Sequence, residues 1–257
     1  MELLRDSRTF ELRDSLVNAG MAELAKPRRL VPFTGDGEAD LLLNDLEGMP
    51  HAFLFACLMD RQVRAELAWK VPSVIRQRHG SFAIVDLEPL SEADWLELLR
   101  NPSPAHRMPE TMAKALHLGT RRVIDRYQGD ASQIWIDSPA SAAVVRRILE
   151  FYGAGPKIAT MAANILVREF HIPMADYRYI DISADTQVVR VMRRLGFVDA
   201  DADEDVVIYA ARELNPDFPG IFDLALWRLG RTLCRPTSPR CPSCDLKLLC
   251  AFGRAPA

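Results

Sequence analysis

Long hydrophobic runs are missing from this 257-residue chain: no uninterrupted apolar stretch approaches the roughly 20 residues that a membrane helix needs. Residues 1–14 carry Glu2, Arg5, Asp6, Arg8, Glu11, Arg13 and Asp14 where a secretory signal needs an apolar centre. A soluble, cytoplasmic protein is therefore expected. Glycine is sparse, at 13 positions, and no tract is compositionally biased, which excludes collagen-like and low-complexity chains. Sustained strand-like alternation is also lacking, so a sheet is not expected. Cationic excess is absent: 32 Lys and Arg stand against 35 Asp and Glu, a net charge of −3, and that total argues against a polyanionic partner. Cysteine is scarce and unevenly placed. Of five, Cys57 stands alone, whereas Cys234, Cys241, Cys244 and Cys250 fall within one short segment. An odd total with such clustering argues against a disulfide framework and for a metal site in a reducing compartment.

What is present is helical punctuation. An amphipathic helix is expected over 9–24, ended by Lys26-Pro27, followed by a hinge-like surface segment over 28–38. The most apolar stretch, 51–69, suits one buried helix, with Asp60, Arg61, Gln62 and Arg64 crowded toward its far end. Ser91 and Asp94 form a capping pattern for a helix over 92–100. A proline-broken loop over 101–109 precedes a helix over 110–127. Ser141 is expected to cap 142–152, and a helix over 156–170 follows Gly153-Ala154-Gly155. Asp185 caps 186–195, a helix covers 204–214, and Pro219 opens a helix to 233 that runs into the cysteines. The fold class is all-α.

The cysteine spacing is C-x6-C-x2-C-x5-C, with Pro236, Pro239 and Pro242 restricting the loop. Zinc and a [4Fe-4S] cluster both accept four cysteines, and the spacing leaves both open. Lying directly after a helix near the end of the chain, this loop resembles the iron-sulfur loop of the endonuclease III-type DNA glycosylases, in the helix-hairpin-helix (HhH-GPD) superfamily. The resemblance favours a [4Fe-4S] cluster on Cys234, Cys241, Cys244 and Cys250, with a structural and DNA-binding role.

Three further segments are similar to the same family, in the same order along the chain. The run 149–159, with Gly153-Ala154-Gly155-Pro156-Lys157, resembles the family's hairpin, although Tyr152 replaces its usual proline. Gly153 and Gly155 can take positive φ in a tight turn, and Pro156 suits the first position of a helix. Backbone N–H groups beside a helix N-terminus then make a phosphate site without sequence preference. The segment Ala184-Asp185-Thr186-Gln187 resembles the family's V-D-T-H, with Gln187 in place of histidine; an N-cap would by itself account for Asp185. Residues 58–63 resemble an L-S-x-Q segment whose glutamine, here Gln62, enters the duplex. The loop holding His106 and Arg107 lies where the family places a wedge residue. Residues 174–183 look like an insertion.

The resemblance implies two helical lobes, a central one over 45–171 and a cluster lobe from 1–44 plus 172–257, with the active site in the cleft between them. It implies a DNA glycosylase with AP lyase activity, acting as a monomer on double-stranded DNA that holds a damaged base or abasic site. An oxidised pyrimidine is the first expected substrate; no membrane partner is expected, and in a bacterium the nucleoid is the expected place. In the family a lysine, here Lys157, attacks C1′ of the extruded nucleotide, and an aspartate, here Asp185, supplies negative charge. Lys157 would lie in the first turn of its helix, whose partial positive end disfavours an ammonium. Two alternatives stand beside this reading: a catalytically altered or monofunctional iron-sulfur protein that binds DNA or excises a different lesion, and a zinc-loop helical adaptor.

The charge total averages two opposed segments. Asp199, Asp201, Asp203, Glu204 and Asp205 form one acidic run, whereas 224–257 holds Arg228, Arg231, Arg235, Arg240, Lys247 and Arg254 against Asp245 alone. Arg190, Arg193 and Arg194 add to the basic side. A basic DNA face including Arg190, Arg235 and Arg240 is therefore expected, masked in the sum by an acidic outer segment.

Overall fold

The computed structural model describes residues 6–255, and every regular element among them is helical. Residues 1–5 and 256–257, expected in the cluster lobe, lie outside them. In chain order the helices are α1 (Ser7–Leu24), α2 (Gly37–Asn44), α3 (Pro50–Met59), α4 (Ala65–His79), α5 (Ile84–Leu87), α6 (Glu92–Arg100) and α7 (Pro109–Tyr127). They continue with α8 (Ser141–Leu149), α9 (Pro156–Arg168), α10 (Thr186–Leu195), α11 (Glu204–Leu214), α12 (Asp223–Thr232) and α13 (Ala251–Arg254). The chain forms two compact units.

One unit comprises Arg28–Ala162 and Glu169–Ala175. Its centre is α3, all ten residues of which are buried, because α2, α4, α7 and the turn Ala131–Ile134 surround it. Phe53 meets the rings of Trp69, Trp135 and Phe170 edge-on. Burial of each such side chain contributes about 1.5–3 kcal/mol. The expected single helix over 51–69 is in fact two, broken between Met59 and Ala65. The reason lies in the polar run that begins at Asp60: α3 has no solvent-facing side, so the chain must leave the helix there, and Gln62 takes φ +53°.

The segment 28–38 is no loose hinge. Asn44 exchanges hydrogen bonds with both backbone groups of Val31, and the buried Asp40 carboxylate accepts from the Thr34 N–H, the Thr34 hydroxyl and the Gly35 N–H. Phe33 stacks on Trp69 at 4.5 Å. These contacts place 28–44 with this unit, where the expectation put it in the cluster lobe. Ser91 and Asp94 form the expected capping box. Ser141, by contrast, is the first residue of α8 rather than its cap, and that helix stops at Leu149.

Among the described residues, the other unit comprises 6–27, Ala163–Arg168 and 176–255. Here α10 buries Val188, Val189, Val191, Met192 and Leu195, a 3.6-residue stripe packed on α12. Leu12 and Leu16 of α1 join the same core. The expected helix from Pro219 begins with a 3-10 turn, Pro219–Phe222, before α12.

Candidate active site

The turn before α9 is tight because Gly153 takes φ +87°. A Cβ there would also lie 3.0 Å from Nη1 of Arg61, which would have to shift slightly, so it is the positive φ that calls for glycine. Gly155 departs from expectation: its φ is not positive, and a Cβ on it would meet nothing within 4 Å. One glycine makes the turn. Pro156 is the first residue of α9 and Lys157 the second.

Lys157 Nζ lies 2.6 Å from Oδ2 of Asp60 and 3.4 Å from the Asp60 carbonyl. Both side chains are shielded, Asp60 to 12% exposure and Lys157 to 32%. One helical turn back, Cys57 is fully buried; burial, then the Asp60 charge, pushes its thiol well above its ordinary value, so it stays neutral. The three residues at the α3 break divide the work of holding the site. Asp60 pairs with Lys157, Arg61 packs on Gly153, and the carbonyl of exposed Gln62 accepts from Nη1 of exposed Arg107 at 3.1 Å.

His106, expected at the DNA surface, is instead part of the interior, at 4% exposure. Its Nδ1 accepts from the Met108 N–H at 3.1 Å, which leaves the proton on Nε2 for the Met59 carbonyl, also at 3.1 Å. Neither nitrogen is available to a phosphate.

In the other unit, Asp185 is the N-cap of α10: one carboxylate oxygen accepts from the N–H groups of Gln187 and Val188, both at 2.8 Å. The approach to Asp185 is held by a buried carboxylate. Asp223 accepts from both the N–H and the hydroxyl of Ser183, and its second oxygen lies 3.7 Å from Arg168 Nη1. Gln187 packs against Gly230, where a Cβ would lie 2.8 Å from the Gln187 Cβ.

Cys234, Cys241, Cys244 and Cys250 all line one cavity, walled also by Leu195, Leu229 and Leu233. Among the described residues no three His, Cys, Asp or Glu are drawn together at metal-binding range, so the thiols share a pocket without a closed ligand geometry. The donor set nonetheless fits a cluster. Burial first, then the neighbouring thiols, raises Cys244 and Cys250 above the ordinary cysteine value, and a bound cationic centre removes that penalty. Arg194 Nη1 lies 3.6 Å from the Cys234 sulfur, and the Gly253 N–H reaches the Cys250 sulfur at 3.3 Å.

Arg190 is expected on the DNA face. Its guanidinium donates to the carbonyls of Cys234 and Gly230, at 3.0 and 2.9 Å, and to Gln187, so it braces the cysteine loop rather than presenting charge outward. Arg194 does likewise toward Arg235 and Pro236. Arg235 is half-buried and Arg240 exposed, both on the loop itself.

No family model matches the sequence. Endonuclease III of Thermotoga maritima is 28% identical over 99 residues, which is 38% of this chain and 44% of that protein's length. A trapped endonuclease III–DNA covalent intermediate superimposes with a TM-score of 0.63 at 19% identity, covering 95% of this chain and 96% of that one. The chain has the endonuclease III fold. A thermostable thymine-DNA glycosylase shares that fold at TM-score 0.64 and 17% identity, covering 96% of this chain and 99% of its own. An 8-oxoguanine glycosylase/lyase of Clostridium acetobutylicum bound to double-stranded DNA does so at 0.57 and 17%, over 89% and 71%.

Within the endonuclease III fold, two residues escape a sequence reading. Asp60 is 97 positions from Lys157 and sits in a run that reads as a solvated helix end. Asp223 reads as one more acid near a helix start, although its burial makes it the anchor of the Asp185 approach.

Proposed function

We propose that this chain is a base-excision-repair DNA glycosylase with AP lyase activity. The observation that carries the proposal is Lys157, at the head of α9 beside the Gly153 turn, with its Nζ held by a shielded carboxylate. The endonuclease III fold and the Thermotoga maritima relative support it. Such an enzyme must extrude its target nucleotide, because the glycosidic bond is inaccessible within the stack. Lys157 attacks C1′ and displaces the base, giving a Schiff base whose neighbouring proton is acidified for β-elimination. Asp185 supplies negative charge to the sugar as positive charge develops. Gln62 and Arg107 stand exposed on the unit that holds Lys157 and contact the DNA there, while Gly153 shapes the phosphate-binding turn. Arg235 and Arg240 contribute phosphate contacts from the cysteine loop. The four cysteines hold a [4Fe-4S] cluster, which ties the loop into one piece. The first substrate to test is an oxidised pyrimidine, within a panel that includes 8-oxoguanine and a thymine mismatch.

Borohydride reduction of the Schiff base on an abasic duplex tests the lyase chemistry. Wild type gives a covalent complex and Lys157→Ala gives none; no complex with wild type overturns the reading. Iron and sulfide content matching one cluster per chain, without zinc, checks the metal assignment.

A further inference from the structure

We propose that Asp60 is the proton acceptor that releases the Lys157 amine for attack. This rests on the reading of Lys157 as the nucleophile, and it separates two duties that one aspartate, Asp185, would otherwise share. The geometry is direct. Asp60 Oδ2 is 2.6 Å from Nζ, within range of transfer without an intervening water. The Asp60 carbonyl, 3.4 Å away, is a second acceptor that aims the ammonium at this residue. Asp60 ends α3 by hydrogen-bonding its N–H to the Cys57 carbonyl, so its backbone is fixed by the most buried helix of the unit. It stands where the family pattern L-S-x-Q has serine, and serine is no base at neutral pH.

The step balances within the pair. One Nζ–H bond breaks and an Oδ2–H bond forms, the electron pair stays on Nζ, and an ammonium and carboxylate become an amine and a carboxylic acid. Nothing else is consumed. In the free protein water stabilises the ion pair; when DNA covers the site and excludes water, desolvation penalises both charges and the neutral pair gains. Substrate binding thus arms the nucleophile.

Because both proton positions lie inside the pair, the transfer takes no proton from solvent, and the attack rate is flat across neutral pH. Other charged or titratable groups facing the pair do not disturb that range. Beside the guanidinium groups of Arg61 and Arg107, Cys57 is held neutral by burial, and burial pushes His106 down from its ordinary 6.5. Without Asp60 the ammonium must lose its proton to solvent.

The test is single-turnover borohydride trapping on an abasic duplex, with wild type, Asp60→Asn, Asp60→Glu and Lys157→Ala, between about pH 7 and 9. The expected result is a flat wild-type profile. Asp60→Asn, which keeps an acceptor but cannot take the proton, falls about 10²-fold or more at neutral pH and recovers about tenfold per pH unit. Asp60→Glu keeps the flat profile even at lower amplitude, and it carries the test should the asparagine variant fail to fold by its melting curve. An Asp60→Asn rate equal to wild type, a uniform drop with the profile unchanged, or a pH-dependent Asp60→Glu overturns the proposal while Lys157 remains the nucleophile. Trapping that survives Lys157→Ala, or is absent from wild type, overturns the underlying reading and this proposal with it.

Discussion

At the scale of a residue, burial decides what a histidine can do. His106 has a basic neighbour in Arg107 and sits in a loop of the kind that meets DNA, yet both its nitrogens are tied to backbone groups inside the unit. Removing the ring leaves the Met59 carbonyl and the Met108 N–H unsatisfied, so His106→Ala destabilises the protein by about 2–4 kcal/mol. The salt dependence of DNA binding should not change. The ring also makes stability acid-sensitive. Burial, the largest influence, draws the folded value below the ordinary 6.5, so between the two values the unfolded chain binds more protons. The contribution is complete above about pH 6.5 and is lost as pH falls through the window beneath it. His51, buried and also pushed down by burial, acts in the same direction. Melting temperatures measured from about pH 7.5 to 5 should decline below 6.5, ahead of carboxylate titration near ~4, and less steeply in His106→Ala. A decline equally steep in the variant would assign the acid sensitivity elsewhere.

At the scale of elements, close approach outweighs propensity. Gly20 lies within α1, where alanine would favour the helix by about 1 kcal/mol. A Cβ there, however, would stand 2.2 Å from the Ile221 carbonyl oxygen and 2.7 Å from Ile221 Cγ1. Backbone of the 3-10 turn Pro219–Phe222 cannot yield as a side chain would, so Gly20→Ala lowers stability by about 1–3 kcal/mol net. A raised melting temperature would show the propensity term winning. What was legible in the sequence follows the same division between local and non-local causes. The starts of α6 and α10 could be read because the Ser91 and Asp185 side chains accept from N–H groups two or three residues on. Lys157 was singled out by the resemblance of 149–159 to the family's hairpin, and not by the glycine and proline pattern alone. The break between α3 and α4 was not legible, since nothing within 51–69 shows that α3 is covered on every side. Asp60 stayed hidden for the related reason that its partner lies 97 residues away.

At the scale of the whole molecule, net charge is a poor guide and so is a count of arginines. The total of −3 includes the acidic run at 199–205, where Asp203 caps α11 and Glu204 and Asp205 lie in its first turn, favourably placed against the helix dipole. On the basic side, Arg190, Arg193 and Arg194 donate to backbone carbonyls of their own unit, and Arg228 pairs with Glu23 at 2.7 Å. Exposed Arg240, Lys247 and Arg254 are therefore better candidates for phosphate contact than the charge pattern alone suggests. Each phosphate contact releases counterions, with a slope of about 0.9 in log affinity against log salt per charge on duplex DNA. Arg240→Gln should weaken binding to damaged and undamaged duplexes alike and reduce the salt slope by about one, with thermal stability unchanged. Arg190→Gln should do the reverse, lowering the melting temperature by loosening the cysteine loop while leaving the slope intact. Binding isotherms across a salt series, run beside melting curves, separate the two. If Arg190→Gln reduced the slope as Arg240→Gln does, its guanidinium would have to leave the Cys234 and Gly230 carbonyls when DNA binds, and the loop would be a moving part rather than a brace.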